Sequence, residues 1–200
     1  MVRLKDYNLV FAVVILIAVL LIASPAIAEL IHVPGGEQFS ELYLLGPERM
    51  AENYPYNIAV GKSYSVYAGI RNHLGSLAYY VLYVKFGSQS DPIPNSTLDS
   101  PSSLPTLNEY LFSIPDGMSW ERLLTFSVSN AAIEENNSQI NTLQINDASF
   151  NVNKFAMWNS NSTIFTYSLF FELWRYNIQS SSIQFDNRFV SLNLNLTRIP

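Results

Sequence analysis

The sequence predicts an all-β fold, an immunoglobulin-like antiparallel β-sandwich, preceded by a single N-terminal transmembrane helix. Three observations carry this prediction. One uninterrupted apolar run lies near the start, and apolar and polar side chains alternate with a period of two through much of the rest. Charged residues make up only 14% of the chain, against about 25% in ordinary globular domains. Ser, Asn, Thr and Tyr supply the missing polarity, a composition suited to strands.

The apolar run is LVFAVVILIAVLLIA, residues 9–23, and it continues through Ser24 and Pro25 to Ala28. About 20 helical residues span about 30 Å, the thickness of a bilayer core. Arg3 and Lys5 precede the run, whereas Glu29, Glu37 and Glu41 follow it. The positive-inside rule then places the N-terminus in the cytoplasm and the remainder outside. A signal peptide is the rival reading, because Ala26-Ile27-Ala28 fits the small-x-small cleavage pattern. Either reading exports the domain.

Residues 29–38 then form a linker containing Pro34, Gly35 and Gly36, and the exported domain occupies 39–200. Within it, Tyr64, Val66, Ala68 and Ile70 share one face while Ser63, Ser65 and Arg71 share the other. Residues 77–86, LAYYVLYVKF, are apolar on both faces, as in a central strand. Phe165, Tyr167, Leu169, Phe171 and Leu173 alternate with polar residues, and so do Val190, Leu192, Leu194 and Leu196. Residues 41–45, 123–128 and 143–146 are shorter candidates, giving six to eight strands and no convincing soluble helix. The stretch 88–108 contains Pro92, Pro94, Pro101 and Pro105 and reads as a long loop insertion. The Asn-rich stretch 130–161 reads as a second insertion or one more hairpin.

Charge and composition exclude several classes of function. Two of the eleven basic and one of the sixteen acidic residues lie in 1–28, leaving the exported part nine against fifteen, net −6. Nucleic-acid binding needs clustered Lys and Arg, and no window has them. Absence of cysteine removes disulfides, thiolate chemistry and Cys-ligated zinc. Asn-x-Ser/Thr triplets occur at Asn95, Asn136, Asn161 and Asn195, all in loops or outward-facing positions. Each is a candidate N-glycosylation site or an unmodified surface Asn.

The stretch Phe39-Ser40-Glu41-Leu42-Tyr43-Leu44-Leu45-Gly46-Pro47 resembles the FTELYLLG signature of an archaeal membrane-protein family, domain of unknown function 1616. Residues 54–75, YPYNIAVGKSYSVYAGIRNHLG, look like that family's next strand and its Asn-His-x-Gly turn at Asn72, His73 and Gly75. Phe171-Glu172-Leu173-Trp174 is similar to its FELW-like strand. The resemblance covers most of 37–196 and implies archaeal origin and an extracytoplasmic sandwich, but no activity. The resemblance implies several membrane helices before this domain in many relatives, where one is expected here. Elementary chemistry also accounts for the motif: Gly75 allows a left-handed turn residue, and Glu41 faces Arg71 or another base at a sandwich edge, or a partner.

Catalytic chemistry finds little support. His32 and His73 are the only histidines, and neither has a second histidine nearby in sequence to build a zinc or nucleophile site. Glu41 with Glu172 as a glycosidase pair rests only on both being carboxylates on strands. Neither an EF-hand loop nor a phosphate-binding glycine motif occurs, and no cofactor is expected. Trp120, Trp158 and Trp174 invite a sugar-stacking reading, although core packing uses aromatics equally well. The sequence therefore predicts a noncatalytic, membrane-tethered cell-envelope protein whose sandwich is an interaction or structural module. Its partners would be the membrane through the N-terminal helix and other envelope or membrane proteins. An envelope carbohydrate-binding module and a membrane-bound hydrolase are the alternatives.

Overall fold

The structure, a computed structural model, describes residues 7–30, 37–95, 97–157 and 164–197. His32, the Pro-Gly-Gly linker, Trp158 and Asn161 fall outside the described residues. The chain forms two compact units, 1–37 and 38–200.

The first unit holds helix α1, Asn8–Leu30. Its side chains are described for residues 10–24, and Val10, Phe11, Ile15, Leu16, Leu21 and Ile22 are more than half exposed. Among the described residues no helix is long and apolar enough to cross a membrane.

In the second unit ten strands form two five-stranded sheets. One sheet contains β1 (Phe39–Leu45), β3 (Ser63–His73), β6 (Ser119–Ile133), β7 (Asn137–Ile145) and β8 (Ala148–Met157), in that order. The other runs β2-β10-β9-β4-β5, where β2 is Asn57–Ile58, β4 is Ala78–Ser88, β5 is Thr106–Ile114, β9 is Phe165–Asn177 and β10 is Ser182–Leu196. Every pairing is antiparallel except the short parallel contact of β2 with β10.

The predicted alternation explains the packing. Val66, Ala68 and Ile70 of β3 and Leu124, Phe126 and Val128 of β6 face Tyr80, Leu82, Val84 and Phe86 of β4 and Phe165, Tyr167, Leu169, Phe171 and Leu173 of β9 in one shared core. Each large side chain there contributes about 1.5–3 kcal/mol by leaving water. The result is a β-sandwich.

Three features differ from the sequence reading. The strands number ten among the described residues, not six to eight, and β5 lies partly in the predicted 88–108 loop. Its inward residues Tyr110, Phe112 and Ile114 carry the period-two signal, but Asn108 and Glu109 interrupt it for a reader of sequence. The 130–161 stretch is not a loop insertion: β6 extends to Ile133, and β7 and β8 form the alternative hairpin. Asn146 turns that hairpin at φ 51°, tolerable for Asn, and its side chain accepts from the Thr125 N–H and donates to the Tyr110 hydroxyl. His73 closes β3 instead of sitting in the turn, which is made by 74–77 with Gly75 at φ 76°.

Residues 89–95 and 97–105 form a strap over the outer face of the β4–β9 pair. A Cβ on Gly87 would sit 2.8 Å from a Leu104 methyl and 3.2 Å from the Phe170 ring, so a larger residue there would have to displace the Leu104 side chain under the strap. Part of the sandwich thus has a third layer.

Candidate functional site

β1 lies at an edge of its sheet, and its odd-numbered residues point to the outer face. Phe39 stacks on His73, with ring centroids 4.7 Å apart. Glu41 Oε1 lies 2.9 Å from His73 Nε2, with both side chains partly exposed. Glu41 is opposite Arg71 in the β-ladder, yet its carboxylate goes to the imidazole two residues on. Tyr43 is opposite Gly69, and its ring lies over that glycine. The Tyr43 hydroxyl donates to Glu121 Oε1 at 3.0 Å, on the next strand. Burial and the adjacent Glu121 carboxylate push the Tyr43 hydroxyl up to about 12. Arg49 completes the row, 3.5 Å from Glu121 and over the ring of Tyr67.

Gly46 ends β1 in a tight loop. Its N–H donates to Met50 O at 2.7 Å, and a Cβ there would meet the Glu52 carbonyl oxygen at 2.0 Å. The signature from Phe39 to Gly46 is therefore a clasp for an edge strand. It contains a carboxylate beside an imidazole, and the contact of Glu41 Oε1 with His73 Nε2 helps hold β1 to β3.

Of the even-numbered residues of the same motif, Leu42 and Leu44 pack on the apolar core and Ser40 enters a buried polar node between the sheets. Ser40 Oγ is 2.9 Å from the Tyr80 hydroxyl, which donates to Asn72 Oδ1 at 3.3 Å. Asn72 is fully buried; its amide donates to Ser76 O and Ile114 O, and its Oδ1 also accepts from the Leu74 N–H. Asp186 sits in a β10 bulge beside them, 3.0 Å from Arg175. Burial pushes its carboxyl above the ordinary range, outweighing the opposing pull of Ser40, Arg175 and Arg188.

A second buried group lies under the strap. Lys85 Nζ is 2.9 Å from Glu172 Oε2, with almost no exposure on either side. Glu172 Oε1 accepts from the Ser102 N–H at 2.9 Å, and Lys85 donates to Ser102 O at 2.6 Å. One strap residue thus satisfies both charges. Sequence reasoning missed this pair; its only signals were a lysine in an apolar run and a glutamate two residues before Trp174.

The remaining candidates are dispersed. Glu41 and Glu172 lie on opposite outer faces of the sandwich, so they form no pair for glycoside chemistry. Trp174 packs against Tyr83 and Phe185 and donates its indole N–H to Glu172. Trp120 stacks on Phe112 across the sheets at 4.0 Å. Among the described residues no three His, Asp or Glu side chains gather to hold a metal.

Among the sequons, Asn95 is exposed and accepts from Thr97 and Leu98 N–H groups. Asn136 is exposed in the β6–β7 turn, although Ser138 of its triplet is buried against Tyr167. Asn195 is half-buried and donates to Asn57.

No curated protein sequence matches the chain. Among solved structures it is similar to a beta-glucosidase from Listeria innocua in complex with glucose, with 10% identity and a TM-score of 0.41 over 80% of this chain and 16% of that one. The beta-glucosidase from Listeria innocua in complex with gluconolactone gives 11% identity and a TM-score of 0.40 over 82% and 17%. The chain thus spans about a sixth of the length of those proteins. The family model for Domain of unknown function (DUF1616) matches residues 34–152, which contain the β1 clasp, the Asn72 node and the strap. With more than half of its length matched, the chain belongs to the DUF1616 family.

Proposed function

We propose that the protein is a membrane-tethered, noncatalytic module of an archaeal cell envelope, carried on α1 with the sandwich outside the cell. The observation that supports it best is the use of the family motif: Glu41, His73, Tyr43 and Asn72 hold an edge strand and a buried node, not a substrate pocket. The apolar side chains that α1 exposes support the tether, because solvent would penalise them and acyl chains would not.

The finer fold class follows the same reading. The order β10-β9-β4-β5 supports an immunoglobulin-like reading, in which these strands would take the G-F-C-C′ places. In the facing sheet β1-β3-β6 corresponds to A-B-E, after which β7 and β8 extend outward. Contacts with other envelope proteins would use the sheet edges, where backbone groups are unpaired. Both outer edges are irregular, β8 at Asn153, φ 47°, and β5 between Thr106 and Asn108. Exposed Asn95 and Asn136 would carry any glycan.

Purification of the full chain from native membranes in mild detergent tests this reading. It predicts a membrane or envelope protein in fixed stoichiometry, retained by Glu41→Gln and His73→Ala variants that remain folded. Turnover of a substrate by the purified chain, abolished by either substitution, would overturn it in favour of a hydrolase.

A further inference from the structure

The outer face of the β4–β9 sheet is covered unequally. The strap lies over the half that holds Lys85, Gly87, Phe170 and Glu172. The other half is bare, and it is apolar: Leu77, Tyr79, Leu111, Tyr176, Ile178 and Ile183 are between 40% and 82% exposed. Two adjoining hollows there share Tyr79 and Tyr176. Among their lining residues Arg175 is the one charged side chain, and Asp186 neutralises it. Gln38, the first residue of the sandwich unit, lines one of these hollows. The bare half is therefore the end at which the chain enters.

Distance selects the occupant. Residues 31–37 separate α1 from Gln38, and seven residues reach at most about 25 Å however they are arranged. β4 has eleven residues, roughly 35 Å, so the strap end of the sandwich lies about that far from the end at which Gln38 joins the tether. The apolar end is held near the bilayer, and its two tyrosines with Leu and Ile on loop tips are the residues that settle at a headgroup boundary.

We propose that this end of the sandwich, formed by the β3–β4 and β9–β10 turns and the bare half of the sheet, rests in the outer headgroup layer of the membrane. The partner is a lipid surface. This inference depends on the tethered reading above, and its test separates the two.

Absence of native cysteine allows single nitroxide labels on the full chain at Ile178→Cys, Leu77→Cys, Ile93→Cys in the strap and Leu16→Cys in α1. The protein is reconstituted in vesicles of phosphatidylcholine and phosphatidylglycerol, and collision with a charged nickel chelate is compared with collision with oxygen. The docked arrangement predicts nickel accessibility at 178 and 77 about tenfold below that at 93, since charged species are excluded from the apolar layer. Labels at 178 and 77 as accessible as 93, with 16 shielded, would overturn docking while leaving the tether in place. A water-accessible label at 16 would overturn both.

Discussion

The ring of Tyr43 lies so close over Gly69 that a Cβ on the glycine would sit 2.2 Å from the ring carbon Cε2. The two residues face each other across β1 and β3, and the same ring carries its hydroxyl to Glu121 on β6. An aromatic side chain thus covers a strand glycine and pins an edge strand to the second strand inward. Gly69→Ala is expected to expel the ring and cost about 1–3 kcal/mol, as overpacking does. Tyr43→Phe keeps the ring and loses one hydrogen bond, about 1 kcal/mol. Urea denaturation of both variants checks the order of the two losses.

Tyr43 also sets an alkaline limit. Its hydroxyl titrates at about 12 in the fold against 10.0 ordinarily, so the unfolded chain releases that proton first as pH rises. The stability it contributes is complete below pH 10 and lost between 10 and 12. Tyr43→Phe should lose less stability over that window than the parent; equal slopes would contradict the assignment.

The buried pair under the strap predicts a larger effect. Lys85→Met leaves Glu172 buried without its cation and should cost about 3–5 kcal/mol. Glu172→Gln weakens the hold on Ser102, so proteolysis should begin within residues 89–105 before the rest of the domain is cut. A double-mutant cycle on Lys85 and Glu172 should show strong coupling, and additive losses would contradict the pairing.

Two aspartates should respond to pH with opposite sign. Asp186 is raised by burial, so its contribution is complete below 3.8 and lost as pH climbs through its raised value. For Asp91 burial acts upward, but the Ser88 N–H and Lys154 outweigh it and hold the carboxyl below its ordinary value. Its contribution is present above 3.8 and lost as pH falls through the lowered value. In thermal melts across pH 2–7, Asp186→Asn should flatten the decline above 3.8, and Asp91→Asn the decline below it.

What could be read from the residues was periodicity. Tyr64, Val66, Ala68 and Ile70, or Leu192, Leu194 and Leu196, declare an inward face because each strand is half-buried. β5 was hidden because it is an edge strand whose outward Glu109 and inward Asn108 meet solvent and a tyrosine hydroxyl at the sheet's rim. β7 and β8 were blurred because polar Ser138 stands among the inward residues of β7 and apolar Phe155 and Met157 lie on the exposed face of β8. Long-range polar pairing left almost no local trace: Lys85 with Glu172 joins two central strands, and Asp186 with Ser40 joins chain ends. The motif residues stood out in sequence, but only the register showed that Tyr43 needs Gly69 and that Glu41 goes to His73 rather than Arg71.

The most direct test of the tethered account is alkaline-carbonate extraction of membranes from cells producing the full chain, followed by mass measurement of the product. The account predicts protein retained in the membrane pellet with residues 1–28 intact. A soluble protein that begins at Glu29 would contradict it and identify a released domain instead.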